Sequence, residues 1–175
     1  MKAQNANPRN KNHIKSTLII IALLLISICS KAQSPFPFKA GSEAMNKFFR
    51  DSINISPDLA ARKATGTVVL KFSADGNGSI SKIVVYYADD VSLTQPVIDA
   101  LNKSNRQWAI PGNRKLYDYV ISFTIYFNLP DNASPELKEQ FYKFYSQRRQ
   151  ITAANEVPLG QVTMLPNVIF TYDLQ

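Results

Sequence analysis

The sequence has one cysteine and one histidine, and both, Cys29 and His13, fall within its first 32 residues. That stretch also contains no acidic residue. Beyond it the chain has no thiol and no imidazole. This absence excludes a disulfide framework, thiol nucleophiles, histidine general-base chemistry and nitrogen–sulfur metal sites. Adjacent acids occur only at Asp89-Asp90, between a strand pattern and a helix pattern, where a solvated turn is expected rather than a catalytic or metal-binding pair. Long apolar runs are scarce too. The one from Leu18 to Cys29 spans 12 positions, short of the roughly 20 needed to cross a bilayer.

The formal charge of +7 is unevenly spread. Five of the 20 basic residues (Lys2, Arg9, Lys11, Lys15, Lys31) precede Gln33, which leaves 15 against 13 acidic residues in the remainder. A nucleic-acid partner needs a basic face on the folded domain, and that balance removes the basis for one. The first 32 residues instead have the three parts of a secretory signal: a basic start ending at Lys15, the apolar run, and small Ser30 and Ala32 flanking Lys31. Cleavage after Ala32 and a periplasmic location are expected. Lipidation at Cys29 and a retained anchor are the alternatives; after plain cleavage no membrane association is expected, and a retained N-terminal segment would give it.

Residues 33–41 read as an extended lead-in. Ser42-Glu43 opens a helix with Met45, Phe48 and Phe49 at helical spacing. Ser56-Pro57-Asp58 opens a second, with a capping hydroxyl, proline at the first helical position and an acid at the positive dipole end. Gly66 is expected to end it. Two β-branched runs, Gly66–Ser73 and Ile80–Tyr87, flank Asp75-Gly76-Asn77-Gly78, whose glycines are expected to supply the positive φ of a tight hairpin. On the second run Ile83, Val85 and Tyr87 are expected to face the core. Thr94-Gln95-Pro96 starts another helix, with Val97, Leu101 and either Ile98 or Ala100 inward. Tyr119, Ile121, Phe123, Ile125 and Phe127 then alternate with Val120, Ser122, Thr124, Tyr126 and Asn128, a strand with one buried face. Residues 131–175 read as an extension. Ser134-Pro135-Glu136 caps a helix with Leu137, Phe141, Phe144 and Tyr145 on one stripe, and Val162–Leu165 and Val168–Tyr172 are short strands with Pro166 between them.

The order of these elements resembles the TonB C-terminal domain. Helix Ala44–Arg50, Ser56-Pro57-Asp58-Leu59-Ala60, Gly66-Thr67-Val68, the Asp75–Gly78 turn, Trp108-Ala109-Ile110-Pro111 and strand Tyr119–Phe127 stand where that family has corresponding elements. The likeness covers roughly residues 43–129. Ser56 replaces the family's tyrosine, and two residues rather than one separate Trp108 from Pro111. The resemblance implies an α+β fold, with a three- to four-stranded antiparallel sheet in residues 42–130 and helices packed on one face. It also implies a periplasmic binding module rather than an enzyme, with no cofactor and no metal. Residues 33–41 reach only about 30 Å when extended, so the chain reads as a free-standing member rather than a complete transducer.

Function in such a domain rests on sheet borders, where an extended peptide can add as a further strand. The resemblance implies docking along the last strand, through the backbone of Val120, Ser122, Thr124 and Tyr126. The partner would be a protein or peptide, such as the N-terminal peptide of an outer-membrane receptor. The Val162–Tyr172 segment is the competing occupant of that border. Two other readings stand beside this one. A self-associating envelope subunit, such as a homodimer, would use the aromatic helix (Phe141, Tyr142, Phe144, Tyr145). A small-molecule binder would use the region of Trp108, which otherwise reads as a core anchor. Lys138, Lys143, Arg148 and Arg149 read as a solvated basic side. Asp75-Gly76-Asn77-Gly78 is explained by turn chemistry rather than calcium, since the closing glutamate of a calcium loop is missing. The sequons at Asn54, Asn77 and Asn132 would carry no meaning in a bacterial protein, the source that the resemblance implies.

Overall fold

The computed structural model describes residues 36–109, 115–153 and 161–173. The expected signal segment, Cys29, and Pro111 of the tryptophan motif lie outside the described residues. Phe36–Gln175 is one compact unit. In chain order its elements are α1 (Gly41–Ser52), α2 (Pro57–Ala61), β1 (Gly66–Asp75), β2 (Ile80–Ala88), a 3-10 turn (Val91–Leu93) and α3 (Thr94–Lys103). They continue with β3 (Leu116–Phe127), α4 (Pro135–Ser146), β4 (Ile151–Thr152), β5 (Val162–Met164) and β6 (Val168–Tyr172). Among the described residues no helix is long and apolar enough to cross a membrane.

The fold is α+β, and its sheet is larger than expected and partly parallel. Strands run in the order β4-β2-β1-β3-β5, and β6 also pairs with β3. The β1–β2 and β1–β3 pairs are antiparallel, as the hairpin and the alternation imply, and β2–β4 is antiparallel too. β5 and β6 run parallel to β3. Residues beyond 130 therefore flank the sheet on both sides instead of forming an appendage.

The core lies on the face that α1 and α3 cover. Val68, Leu70, Phe72 and Ala74 of β1 and Ile121, Phe123 and Ile125 of β3 are fully buried there, with Met45 and Phe49 of α1 above them. Phe49 meets Phe123 edge-on with ring centroids 5.1 Å apart. On α3 the inward set is Pro96, Val97, Ala100 and Leu101, so Ala100 rather than Ile98 completes the face. The lead-in is not a spacer where it is described. Phe38 is buried and bridges to Trp108, with Lys39 N–H on the Gln107 carbonyl at 2.8 Å and Ala109 N–H on the Pro37 carbonyl at 2.7 Å.

Three local expectations need correction. The helix α2 ends on Lys63, not Gly66. Lys63 takes φ +56°, Ala64 N–H bonds the Leu59 carbonyl, and the Lys63 ammonium bonds the carbonyls of Ala60 and Ala61, each at 3.2 Å. This is a Schellman ending whose left-handed residue is a lysine that caps the helix with its own charge. Of the two turn glycines only Gly78 has positive φ (+78°); Asp75 Oδ1 holds the turn by accepting from Asn77 and Ser79 N–H, each at 2.9 Å. On β2 an irregularity falls at Tyr86, between Val85, which pairs with Leu70, and Tyr87, which pairs with Val69. The extra residue shifts the alternation. Ala88 therefore takes the core position opposite Val68, and Tyr87 turns to the other face.

Candidate partner-binding edge

Along β3 the even-numbered residues turn their backbone groups away from β1, as the sequence implies. That side is occupied. Leu165 N–H donates to the Val120 carbonyl at 2.8 Å, and Asn128 N–H donates to the Tyr172 carbonyl at 2.9 Å. Asp118–Val120 pair with Val162–Met164, and Phe123–Phe127 pair with Val168–Tyr172. Val120, Thr124 and Tyr126 are accordingly committed within the chain, and Ser122 lies between the two paired stretches. Val120 is buried, Ser122 and Thr124 are half-buried, and Tyr126 is 50 % exposed through its side chain only. Thr124 Oγ1 also meets the Asn167 side-chain amide at 3.0 Å. The competing occupant weighed from the sequence, Val162–Tyr172, is the one that holds this border.

Two other borders result. In a parallel pair, alternate residues bond the neighbour and the others point away. Tyr172 faces β3, so Phe170 and Val168 do too, and Ile169 and Thr171 present N–H and C=O outward. The border has an apolar flank: Ile169 of β6 is 53 % exposed, and Met164 of the neighbouring β5 is 68 % exposed. Val168, by contrast, is fully buried on the core face. The other border is the outer side of β2. There β4 pairs with Tyr87 and Ala88, Ala153 N–H reaches the Tyr86 carbonyl, and no described strand pairs with Ile80–Val85. This stretch carries the devices that block strand addition, namely a register irregularity and an exposed Lys82 at φ +51°. The sequence signal for the β6 border was present in the alternation of Val168, Phe170 and Tyr172 with Ile169 and Thr171. The sequence left open whether these residues lie beside β3.

The acid pair Asp89-Asp90 is structural. Asp89 Oδ2 accepts from Thr67 N–H at 2.7 Å, and Oδ1 accepts from the Tyr87 hydroxyl. That hydrogen bond is the main reason the Tyr87 phenol titrates above its usual value. Arg148 Nη1 lies 3.8 Å from Asp89, Nη2 donates to the Thr65 carbonyl at 2.6 Å, and the guanidinium sits 4.0 Å from the Tyr145 ring centroid. Asp90 is buried; it accepts from Ser92 N–H at 2.9 Å, from the Ser92 hydroxyl and from Arg149 N–H at 2.7 Å. The acid pair is thus a clasp between the start of β1, the end of β2 and the segment after α4, not a solvated turn. Arg148 is likewise not part of a solvated side. Among the described residues no cluster of acids or other ligands is arranged to hold a metal.

Trp108 is enclosed. Its ring lies 5.2 Å from Phe38, 4.8 Å from Phe72 and 5.6 Å from Tyr119, and Nε1–H donates to Ser104 Oγ at 3.1 Å. Burial, with a smaller contribution from Tyr117, pushes the Tyr119 phenol up to about 12. With both faces of the indole covered, a soluble ligand has no platform there. No family model, no characterised protein and no solved structure matches this chain.

Proposed function

We propose that this is an exported cell-envelope protein that binds a protein or peptide by strand addition, in TonB-type transport or envelope recognition, with the outer side of β6 as the docking border. The observation that carries the reading is the pair Ile169 and Thr171. They offer outward backbone groups on an edge strand with an exposed apolar flank and none of the protective features seen on β2. The TonB-like order of elements between Glu43 and Leu129 supports the envelope role. The partner is an extended segment with apolar side chains at alternate positions, an outer-membrane receptor's N-terminal peptide being one of that kind.

The test is selection from a phage-displayed peptide library, followed by NMR mapping of the selected peptides. They should perturb the amides of Ile169 and Thr171, and Thr171→Pro, which removes an outward donor and no hydrogen bond to β3, should abolish binding. Selected peptides that map elsewhere and bind Thr171→Pro unchanged would reject the border. Self-association through α4 is the second reading, favoured by Tyr142 and Tyr145, which are 65 % and 56 % exposed. A concentration-dependent sedimentation coefficient that Tyr142→Ser removes would establish it.

A further inference from the structure

A concave site lies apart from β6, between the end of α2, one stripe of α4 and the clasp at Asp90. It is a cleft of about 470 Å³. Gln140, Lys143, Phe144 and Gln147 line one wall at the i, i+3, i+4, i+7 spacing of a single helix face, and Arg62 and Arg149 close it from the other side. Phe144 is the apolar floor, buried, with the Arg62 guanidinium 5.7 Å from its ring centroid.

The lining is rich in donors and poor in unspent acceptors. Among the described residues Arg62 makes one ion pair, with Asp58 at 3.1 Å, and also feels the charge of Asp90; both Arg62 and Asp58 are exposed, so their pair costs little to loosen. Among the described residues neither Lys143 nor Arg149 has a carboxylate at ion-pair distance. One acid lines the cleft, Asp90, and its oxygens are already taken by Ser92 and by the backbone of Arg149. The last carbonyls of α2, which would otherwise present a negative end, are bonded by Lys63. Arg149 is held in place by two backbone hydrogen bonds, its N–H to Asp90 and its carbonyl to Val91 N–H at 2.9 Å. The side chain of Arg149 therefore projects from a fixed point, and three cations with two amides converge on one apolar floor.

We propose that this cleft binds a soluble oxyanion carrying two or more negative charges, of the phosphate or polycarboxylate class. Arg62 and Arg149 supply forked donors, Lys143 a point charge, and Gln140 and Gln147 neutral donors; an apolar part of the ligand rests on Phe144. The site is independent of β6 and of the strand-addition reading.

The test is an NMR titration of the full chain at low ionic strength with inorganic phosphate, with citrate and, as the monovalent control, with acetate. The proposal expects saturable shifts at the Gln140 and Gln147 side-chain amides and at Arg149 Nε–H with phosphate or citrate, and none with acetate at equal ionic strength. The double variant Lys143→Gln, Arg149→Gln should weaken binding by about tenfold or more, while Lys47→Gln, on α1, leaves it unchanged. Shifts that do not saturate, or that spread equally over exposed cations such as Lys47 and Lys138, would overturn it. So would a double variant that binds as tightly as the parent. Because the titration of the parent chain is decisive alone, a variant that folds poorly does not shelter the proposal.

Discussion

The backbone N–H of Leu165 donates to the carbonyl of Val120 at 2.8 Å, tying a residue near the end of the chain to the middle of β3. That bond makes β3 an interior strand and moves the border of the sheet to β6. The parity along β6 can be tested by mutation. Val168 is fully buried and Ile169 is 53 % exposed. Val168→Ala should cost about 2 kcal/mol through lost burial and a residual cavity, and Ile169→Ala within about 0.5 kcal/mol. Urea unfolding followed by fluorescence of the single tryptophan, Trp108, measures both; equal costs would mean a different register.

The hairpin offers a matched pair of glycines. A Cβ on Gly78 would stand 2.4 Å from the Trp108 carbonyl oxygen, at φ +78°, whereas a Cβ on Gly76 meets nothing within 4 Å. Gly78→Ala is expected to destabilise by about 2–4 kcal/mol, combining backbone strain with displacement of the 104–108 segment. Gly76→Ala should be neutral or stabilising by up to about 1 kcal/mol. The same unfolding assay distinguishes them.

Acid stability should depend in part on Asp118. Its carboxylate accepts from the Ser73 hydroxyl at 2.6 Å and lies 3.2 Å from Lys71 Nζ. The Ser73 bond, opposed by burial and aided by Lys71, holds its pKa below the usual 3.8. With the folded value below the unfolded one, the stabilisation is complete above pH 3.8 and is lost as pH falls through the folded value. Since the Asp118 side chain is 36 % exposed, the effect is about 1 kcal/mol or less. Asp118→Asn should flatten stability against pH in this acid range, as read by urea midpoints; an unchanged slope would remove Asp118 from the account.

Arg148 holds the segment after α4 against the sheet. Arg148→Ala leaves the Thr65 carbonyl and Asp89 without it and should cost about 2–3 kcal/mol. Lysine has no planar fork to bond Thr65 while stacking on Tyr145, so Arg148→Lys should recover less than half. Amide exchange at Ile151 and Thr152 should quicken in both variants, because β4 is paired only with Tyr87 and Ala88.

The part of the fold written in local patterns was readable from the sequence. The period-two alternation from Tyr119 to Phe127, the caps at Ser56 and Ser134 and the hairpin all encode their geometry within a few residues. Serine Oγ accepts from Leu59 N–H and from Leu137 N–H, each at 3.3 Å, as the capping pattern implies. What was not readable depends on distant partners. The irregularity that turns Tyr87 outward is not marked by glycine, and Lys63 and Lys82 take positive φ where the sequence gives no signal. The roles of Asp89 and Asp90 are set by Arg148 and Arg149, some sixty residues on. Parallel pairing of β5 and β6 with β3 is likewise non-local, with no short turn to announce it, which is why the expected docking strand turned out to be covered.

Amide hydrogen exchange, with and without a selected peptide, tests the central claim most directly. In the free protein Thr124 and Tyr126 should exchange slowly, because β6 carbonyls accept their N–H groups, while Ile169 and Thr171 exchange fast. Added peptide should slow Ile169 and Thr171 and leave Thr124 and Tyr126 as they were. Fast exchange at Thr124 and Tyr126 in the free protein, or a peptide that slows those two and releases β6, would contradict the account.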